Sequence, residues 1–240
     1  DILTSRIQSD NSYDISRNAL QELVRGWKDA PNTLNVIKDC VRNDNDKDVR
    51  CTAIKELTRG WKNIPETLNL LKKSAQQDSN SDVRRTALIE ISHKWNSEPE
   101  TFLWLKLRAQ DDGSPDVRRT AIKELARNWK DEPGILLWLQ HRAQNDTHSA
   151  VRCSTMKELA RSWKKDASIL DFWQECAVQD AFRRDNKYQV NPRETALEVL
   201  MQQYRRNSKI KTLLRNAAQD DDDEKLREWA TLQMRKLSCE

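Results

Sequence analysis

Six arginines recur in register along this 240-residue chain: Arg50, Arg84, Arg118, Arg152, Arg193 and Arg227. Guanidinium groups at a fixed spacing make a ladder on which phosphates can bind. Between the arginine-bearing segments lie Asp44, Asp78, Asp112, Asp146, Asp180 and Asp220. Pairing of each arginine with one of these aspartates is the expected use, and paired guanidiniums no longer face a ligand. A second column is aromatic, Trp27, Trp61, Trp95, Trp129 and Trp163, each 34 residues after the last. Indole rings in a row can stack bases. A large residue recurring at one point of every segment is better placed to pack the seam between segments, where aromatic area stabilises most.

Catalytic chemistry finds little to use. The chain contains no phosphate-binding G-x-x-x-x-G-K-[ST], no G-x-S-x-G and no H-E-x-x-H. His93 takes the place held by Arg59, Arg127 and Arg161 and reads as a solvated substitution, while His141 and His148 gather no carboxylates. Cys40, Cys51, Cys153, Cys176 and Cys239 are odd in number and scattered, without a C-x-x-C. They are expected to be reduced thiols of a cytoplasmic protein rather than a disulfide frame or a zinc site. No catalytic residue, metal or cofactor is therefore expected, and the chain reads as a non-enzyme.

Composition narrows the fold. Charged residues are 33%, the hydrophobic set 37%, and glycine is rare at 4 against 9 tryptophans. That is too little apolar material for a sheet buried on both faces, and it suits helices that each bury one stripe. No run of 18 apolar residues and no signal peptide is visible, so no membrane partner is expected. The 42 basic and 38 acidic residues are interleaved, so the net +4 makes a weak case for nucleic acid. The one acidic block, Asp220 to Glu224, reads as a solvated loop.

The elements that carry these columns follow from the period. Asp48-Val49-Arg50, Asp82-Val83-Arg84 and Asp116-Val117-Arg118 keep the tryptophan spacing, as do Glu22, Glu56, Glu90, Glu124 and Glu158, and Pro31, Pro65, Pro99 and Pro133. In the unit opening at Ser114, Pro115 and Asp116 suit a helical first turn. Val117, Ala121, Ile122, Leu125 and Trp129 then share one helical face. Asp131-Glu132-Pro133 ends that helix, and a second runs from about Gly134 to Asn145 with Leu136, Leu139 and Ala143 inward. First helices are predicted near 14–28, 48–62, 82–96, 116–130, 150–164, 192–206 and 226–238. After Asp180 the phase slips, so 181–191 reads as an inserted loop before Arg193-Glu194-Thr195-Ala196 resumes the pattern. Ile2, Leu3, Ile7 and Asp10 fall in the columns of Val36, Ile37, Val41 and Asp44. The chain therefore reads as one array over 1–240 and as a piece of a longer protein. It would have a partial unit 1–10, regular units 11–180 and further units 192–240, with an apolar face at Ile2, Leu3 and Ile7.

A 34-residue period also belongs to tetratricopeptide repeats, but those place Trp early in the first helix and follow it with a Leu-Gly pair, which is absent here. Asp-Val-Arg-Arg-Thr-Ala-x-x-x-Leu instead resembles the HEAT family, in the short V-R-x-x-A-x-x-x-L form of bacterial HEAT-like proteins. The resemblance covers nearly the whole chain and weakens at Ala150, Thr155 and 187–191. It implies an all-α, right-handed α-solenoid of about seven 34-residue helix-turn-helix repeats, with second helices on the concave side and Asp–Arg pairs between neighbouring units. The stretches 123–133 (KELARNWKDEP) and 157–164 (KELARSWK) resemble the C-terminal HEAT arrays of cyanobacterial NACHT-type NTPases, relatives of animal NLR receptors. That narrower resemblance implies a sensing and autoinhibitory role in the cytoplasm.

On the helices that the family places on the concave side, two columns read as binding surface. Lys38, Lys72, Lys106, Gln140, Gln174 and Arg215 form a polar ridge. The neighbouring column of Asn35, Asn69, Leu103, Leu137, Asp171 and Thr212 varies in chemistry while the packing columns do not, the mark of a modular binding face. Leu103, Trp104, Leu137 and Trp138 would supply an apolar anchor for a protein ligand or a neighbouring domain of the parent protein. Weak nucleic-acid binding along the ridge is the alternative. HEAT-like enzymes, such as alkylpurine DNA glycosylases or bilin lyases, have less regular repeats than these.

Overall fold

The computed structural model describes residues 13–186 and 188–238, and all regular structure among them is helical. Ile2, Leu3, Ile7 and Asp10 lie outside the described residues. Thirteen α-helices follow in order. They are α1 (Tyr13–Trp27), α2 (Thr33–Asn43), α3 (Lys47–Trp61), α4 (Pro65–Gln77), α5 (Ser81–Lys94), α6 (Pro99–Asp111) and α7 (Pro115–Asn128), then α8 (Ile135–Asn145), α9 (Ser149–Ser162), α10 (Leu170–Gln179), α11 (Pro192–Gln203), α12 (Lys209–Asp220) and α13 (Glu224–Ser238). A 3-10 turn, Ala167–Ile169, precedes α10. The helices form two compact units, one ending at Asn128 and the other beginning at Trp129.

Each unit is an array of helix pairs. In the first, α1, α3, α5 and α7 pack successively as one layer, and α2, α4 and α6 each fold tightly onto the odd-numbered helix that follows. In the second, α8, α10 and α12 fold onto α9, α11 and α13. The sequence period groups each first helix with the second helix after it, but the tight hairpin joins a second helix to the next first helix. The reason is the turn between them. At Asp44, Asp78, Asp112, Asp146, Asp180 and Asp221 the helix ends in an extended residue. Its carboxylate accepts the amide two residues on, as from Asp46 N at 2.9 Å and Ser114 N at 2.8 Å. A side-chain cap then opens the next helix, as when Asp46 accepts from the Asp48 and Val49 amides. Except after Asp180, where the insertion follows, the chain is thus folded straight back within three residues.

The expected core face holds. Val117, Ala121, Ile122 and Leu125 on α7 are fully buried, as are Ala53, Ile54 and Leu57 on α3. On α8, Leu139 and Ala143 are inward as expected, but Ile135 takes the place assigned to Leu136, which is half-buried. Ile135, Leu139 and Ala143 follow one another at spacings of four, so they share the buried stripe and Leu136 falls at its edge.

The inserted segment after α10 is irregular, as expected, yet anchored. Phe182 is buried, and Arg184 donates to Asp223 with Nη2 at 2.7 Å from Oδ2. Asn191 Nδ2 donates to the same oxygen at 2.9 Å. Burial pushes the Asp223 carboxyl up, but these donors outweigh it and hold it below the usual carboxylate range. The block from Asp220 to Glu224 is therefore not a solvated loop. Asp223 anchors the insertion, and Asp221 serves an arginine.

Candidate binding surface

The arginine column is consumed by the fold. Arg50 donates from Nε to Asp78 Oδ2 at 2.8 Å and from Nη2 to Oδ1 at 2.9 Å, while its Nη1 reaches the Asp44 carbonyl at 2.8 Å. Arg84 repeats this with Asp112 and the Asp78 carbonyl, every distance 2.9 Å. In the second unit Arg152 holds Asp180 at 2.6 and 2.8 Å, and Arg193 holds Asp221 at 2.7 Å through both nitrogens. Each guanidinium thus ties its own turn to the carboxylate of the next. The partner in the last rung is Asp221, not Asp220. Asp220 is still helical, whereas Asp221 is the extended residue whose carboxylate points back along the turn. With Arg50, Arg84, Arg152 and Arg193 held in bidentate, largely buried pairs, the column offers no continuous phosphate ladder.

The tryptophan column is only partly core. Trp95 and Trp129 are 7% exposed, Trp61 and Trp163 are half-buried, and Trp27 is 52% exposed. The turn after the ring is latched by the next helix, since Thr33 and Thr67 hydroxyls donate to the Trp27 and Trp61 carbonyls at 2.6 and 2.8 Å. His93 is exposed, yet it is more than a solvated substitution. Its Nε2 lies 3.1 Å from Oε2 of buried Glu124 on the next first helix, and Ser92 Oγ donates to the same oxygen. Arg59 and Arg161, in the same column, pair instead with a glutamate three residues earlier on their own helices. Among the described residues no cluster could hold a metal ion. Cys40, Cys51, Cys153 and Cys176 are free, buried thiols, and burial pushes Cys40 and Cys176 up to about 12.

The residues expected to bind lie on the even-numbered helices, some in each unit. On α6 of the first unit Leu103 is 61% exposed and Trp104 half-buried. One turn on, Leu107 is 53% exposed, a member of the patch that the column reading missed. Its signal was available, since i and i+4 share a helical face. Lys38, Lys72 and Lys106 are half-buried. Two are already engaged, Lys72 with Glu100 at 3.7 Å and Lys106 over the Phe102 ring at 5.4 Å. In the second unit Leu137 on α8 is 71% exposed beside half-buried Trp138 and Gln140. Gln174 accepts from Lys209 Nζ at 3.1 Å, and Arg215 is exposed. Each unit thus presents exposed leucine beside a half-buried tryptophan, and among the described residues named here there is no constellation of acid, base and nucleophile.

Comparison with known proteins gives a family model and little more. The model of HEAT repeats matches residues 1–92. No curated protein matches the chain. One similar solved structure comes from "Computational Design of Self-Assembling Cyclic Protein Homooligomers"; it is 13% identical over 98% of this chain and 75% of that one, with a TM-score of 0.15. So low a score carries no argument. HEAT repeats generally serve as scaffolds for protein interaction, and among the described residues no helix is long and apolar enough to cross a membrane.

Proposed function

We propose that this chain is a HEAT-type protein-binding array, and that it serves as the sensing and regulatory part of a larger cytoplasmic, bacterial NACHT-type NTPase. The observation that carries the binding role is the exposed pair Leu103 and Leu107 on α6, beside Trp104. Solvent-facing leucines one turn apart beside an indole make a local apolar patch of the kind that a protein partner covers. Leu137 and Trp138 supply a like surface in the second unit. The NTPase assignment rests on the resemblance of 123–133 and 157–164, and the compartment on unpaired thiols. Nucleic-acid binding along the ridge is disfavoured, because Asn35, Asn69 and Asp171 beside it and the acidic run from Asp220 interrupt the basic surface.

The test uses the parent protein's remaining portion as the partner, mixed with this array in trans. Leu103→Asp with Leu107→Asp should abolish association, with helicity unchanged. Charge reversal at Lys72 and Lys106 should matter less and should not confer a steep salt dependence. If the lysine reversals abolish association while the leucine changes are silent, the apolar site is wrong.

A further inference from the structure

The first helices carry a column of small hydroxyl residues, Thr52, Thr86, Thr120, Ser154 and Thr195. Within the first unit two of them reach the preceding first helix. Thr86 Oγ1 lies 3.4 Å from Cys51 Sγ, and Thr120 Oγ1 accepts from Arg85 Nε at 3.3 Å. The next member of the column is Trp229, on α13. An indole is much larger than the other members of this column, and at this place the helices stand apart: α11 and α13 do not close on each other as α1 and α3, α3 and α5, α5 and α7, or α9 and α11 do. A cavity of about 780 Å³ stands in the gap, wholly within the second unit.

Its lining is specific in character. Trp229, Met201 and Ile210 supply apolar wall, and Arg206, Lys211 and Lys236 bring positive charge to a lining that also holds Glu198. Gln202 and Gln233 add amides that can donate and accept. A bare anion would leave the indole unused, and an apolar ligand would leave the positive charge of Arg206, Lys211 and Lys236 unused. A ligand with both a flat ring and phosphates uses every part of this wall, and the volume is that of a small-molecule site.

We propose that the cavity between α11 and α13 binds a nucleoside phosphate, with its base against the Trp229 ring and its phosphates among Arg206, Lys211 and Lys236. The site is independent of the leucine patch on α6, so either can fail alone.

Calorimetric titration of the whole chain with ATP tests it, with adenosine and inorganic tripolyphosphate as separate probes. ATP should bind, and more tightly than either fragment. Trp229→Thr should weaken ATP by about tenfold or more, the loss of one base-stacking contact. Lys211→Glu with Lys236→Glu, both on exposed positions, should weaken ATP and tripolyphosphate together, with helicity preserved. That second variant keeps the test decisive if Trp229→Thr does not fold. Absence of ATP binding at millimolar concentration overturns the proposal. So does tripolyphosphate binding as tightly as ATP and insensitive to Trp229→Thr, which would be a bare anion site.

Discussion

Replacing Asp112 with Ala should cost the first unit about 3 kcal/mol, the low end for breaking a buried ion pair. The carboxylate is 3% exposed and its partner Arg84 is 14% exposed. Removing it takes two charge-assisted bonds of 2.9 Å from Arg84, which keeps only its bonds to the Asp78 and Ser79 carbonyls. It also frees the Ser114 amide, which Asp112 Oδ1 accepts at 2.8 Å, a loss of about 1 kcal/mol in itself. Water reaches part of the guanidinium, and that holds the sum to the lower figure. Asp112→Asn should keep the turn but lose the charge, for about 1–2 kcal/mol. Arg84→Met combined with Asp112→Asn should cost less than the two singles added, because no buried charge is left alone. Urea unfolding followed by far-ultraviolet circular dichroism gives the cycle. Amide exchange in α5 and α7 reads the same loss locally, since repeat arrays open in steps. If Asp112→Ala costs under about 1 kcal/mol, the pair behaves like a surface pair and the ladder does not hold the repeats together.

Trp129→Ala should cost about 3–5 kcal/mol, as for a buried aromatic, whereas Trp27→Ala should cost under about 1 kcal/mol, both read by urea unfolding. Glu90 is half-buried, and burial pushes its carboxyl up despite the nearby Lys94, His93 and Lys55. A raised acid destabilises the fold while ionised. Glu90→Gln should therefore raise the melting temperature at neutral pH, with the advantage gone once pH falls below about 4.3, where the unfolded chain is protonated too. Asp223 has the opposite sign, since its folded carboxyl lies low. Its contribution is present above the unfolded value of about 3.9 and is lost as pH falls through the folded one, so Asp223→Asn should flatten the acid limb of a stability-against-pH curve.

The helices were legible in the sequence because the period repeats the same information in every unit. Val49, Val83, Val117 and Val151 all mark one face, so no single substitution can mislead. The aspartate–arginine pairs were legible as a class but not rung by rung. Four consecutive aspartates, Asp220 to Asp223, look alike in sequence, and backbone conformation alone selects Asp221 to cap the turn. The hairpin pairing was not legible, because a period has no beginning, and both phases fit it equally well. Trp27 shares its column with Trp129 yet not its burial, since a column reports residue type and not what covers it. The leucine patch was half legible, with Leu103 found and Leu107 missed for want of asking what lies one turn on. Trp229 was visible as a departure from a threonine column, but the open space beside it between α11 and α13 was not.

The four buried thiols make the molecule its own reporter. Cys40 and Cys51 lie on α2 and α3 of the first unit, Cys153 and Cys176 on α9 and α10 of the second. With burial holding them protonated, none can attack a disulfide reagent until its helix opens. Labelling rates at each cysteine therefore count local openings one helix at a time. Variants retaining a single described thiol would show whether a broken rung loosens one neighbour or a whole unit, and whether filling the Trp229 cleft quiets the helices around it.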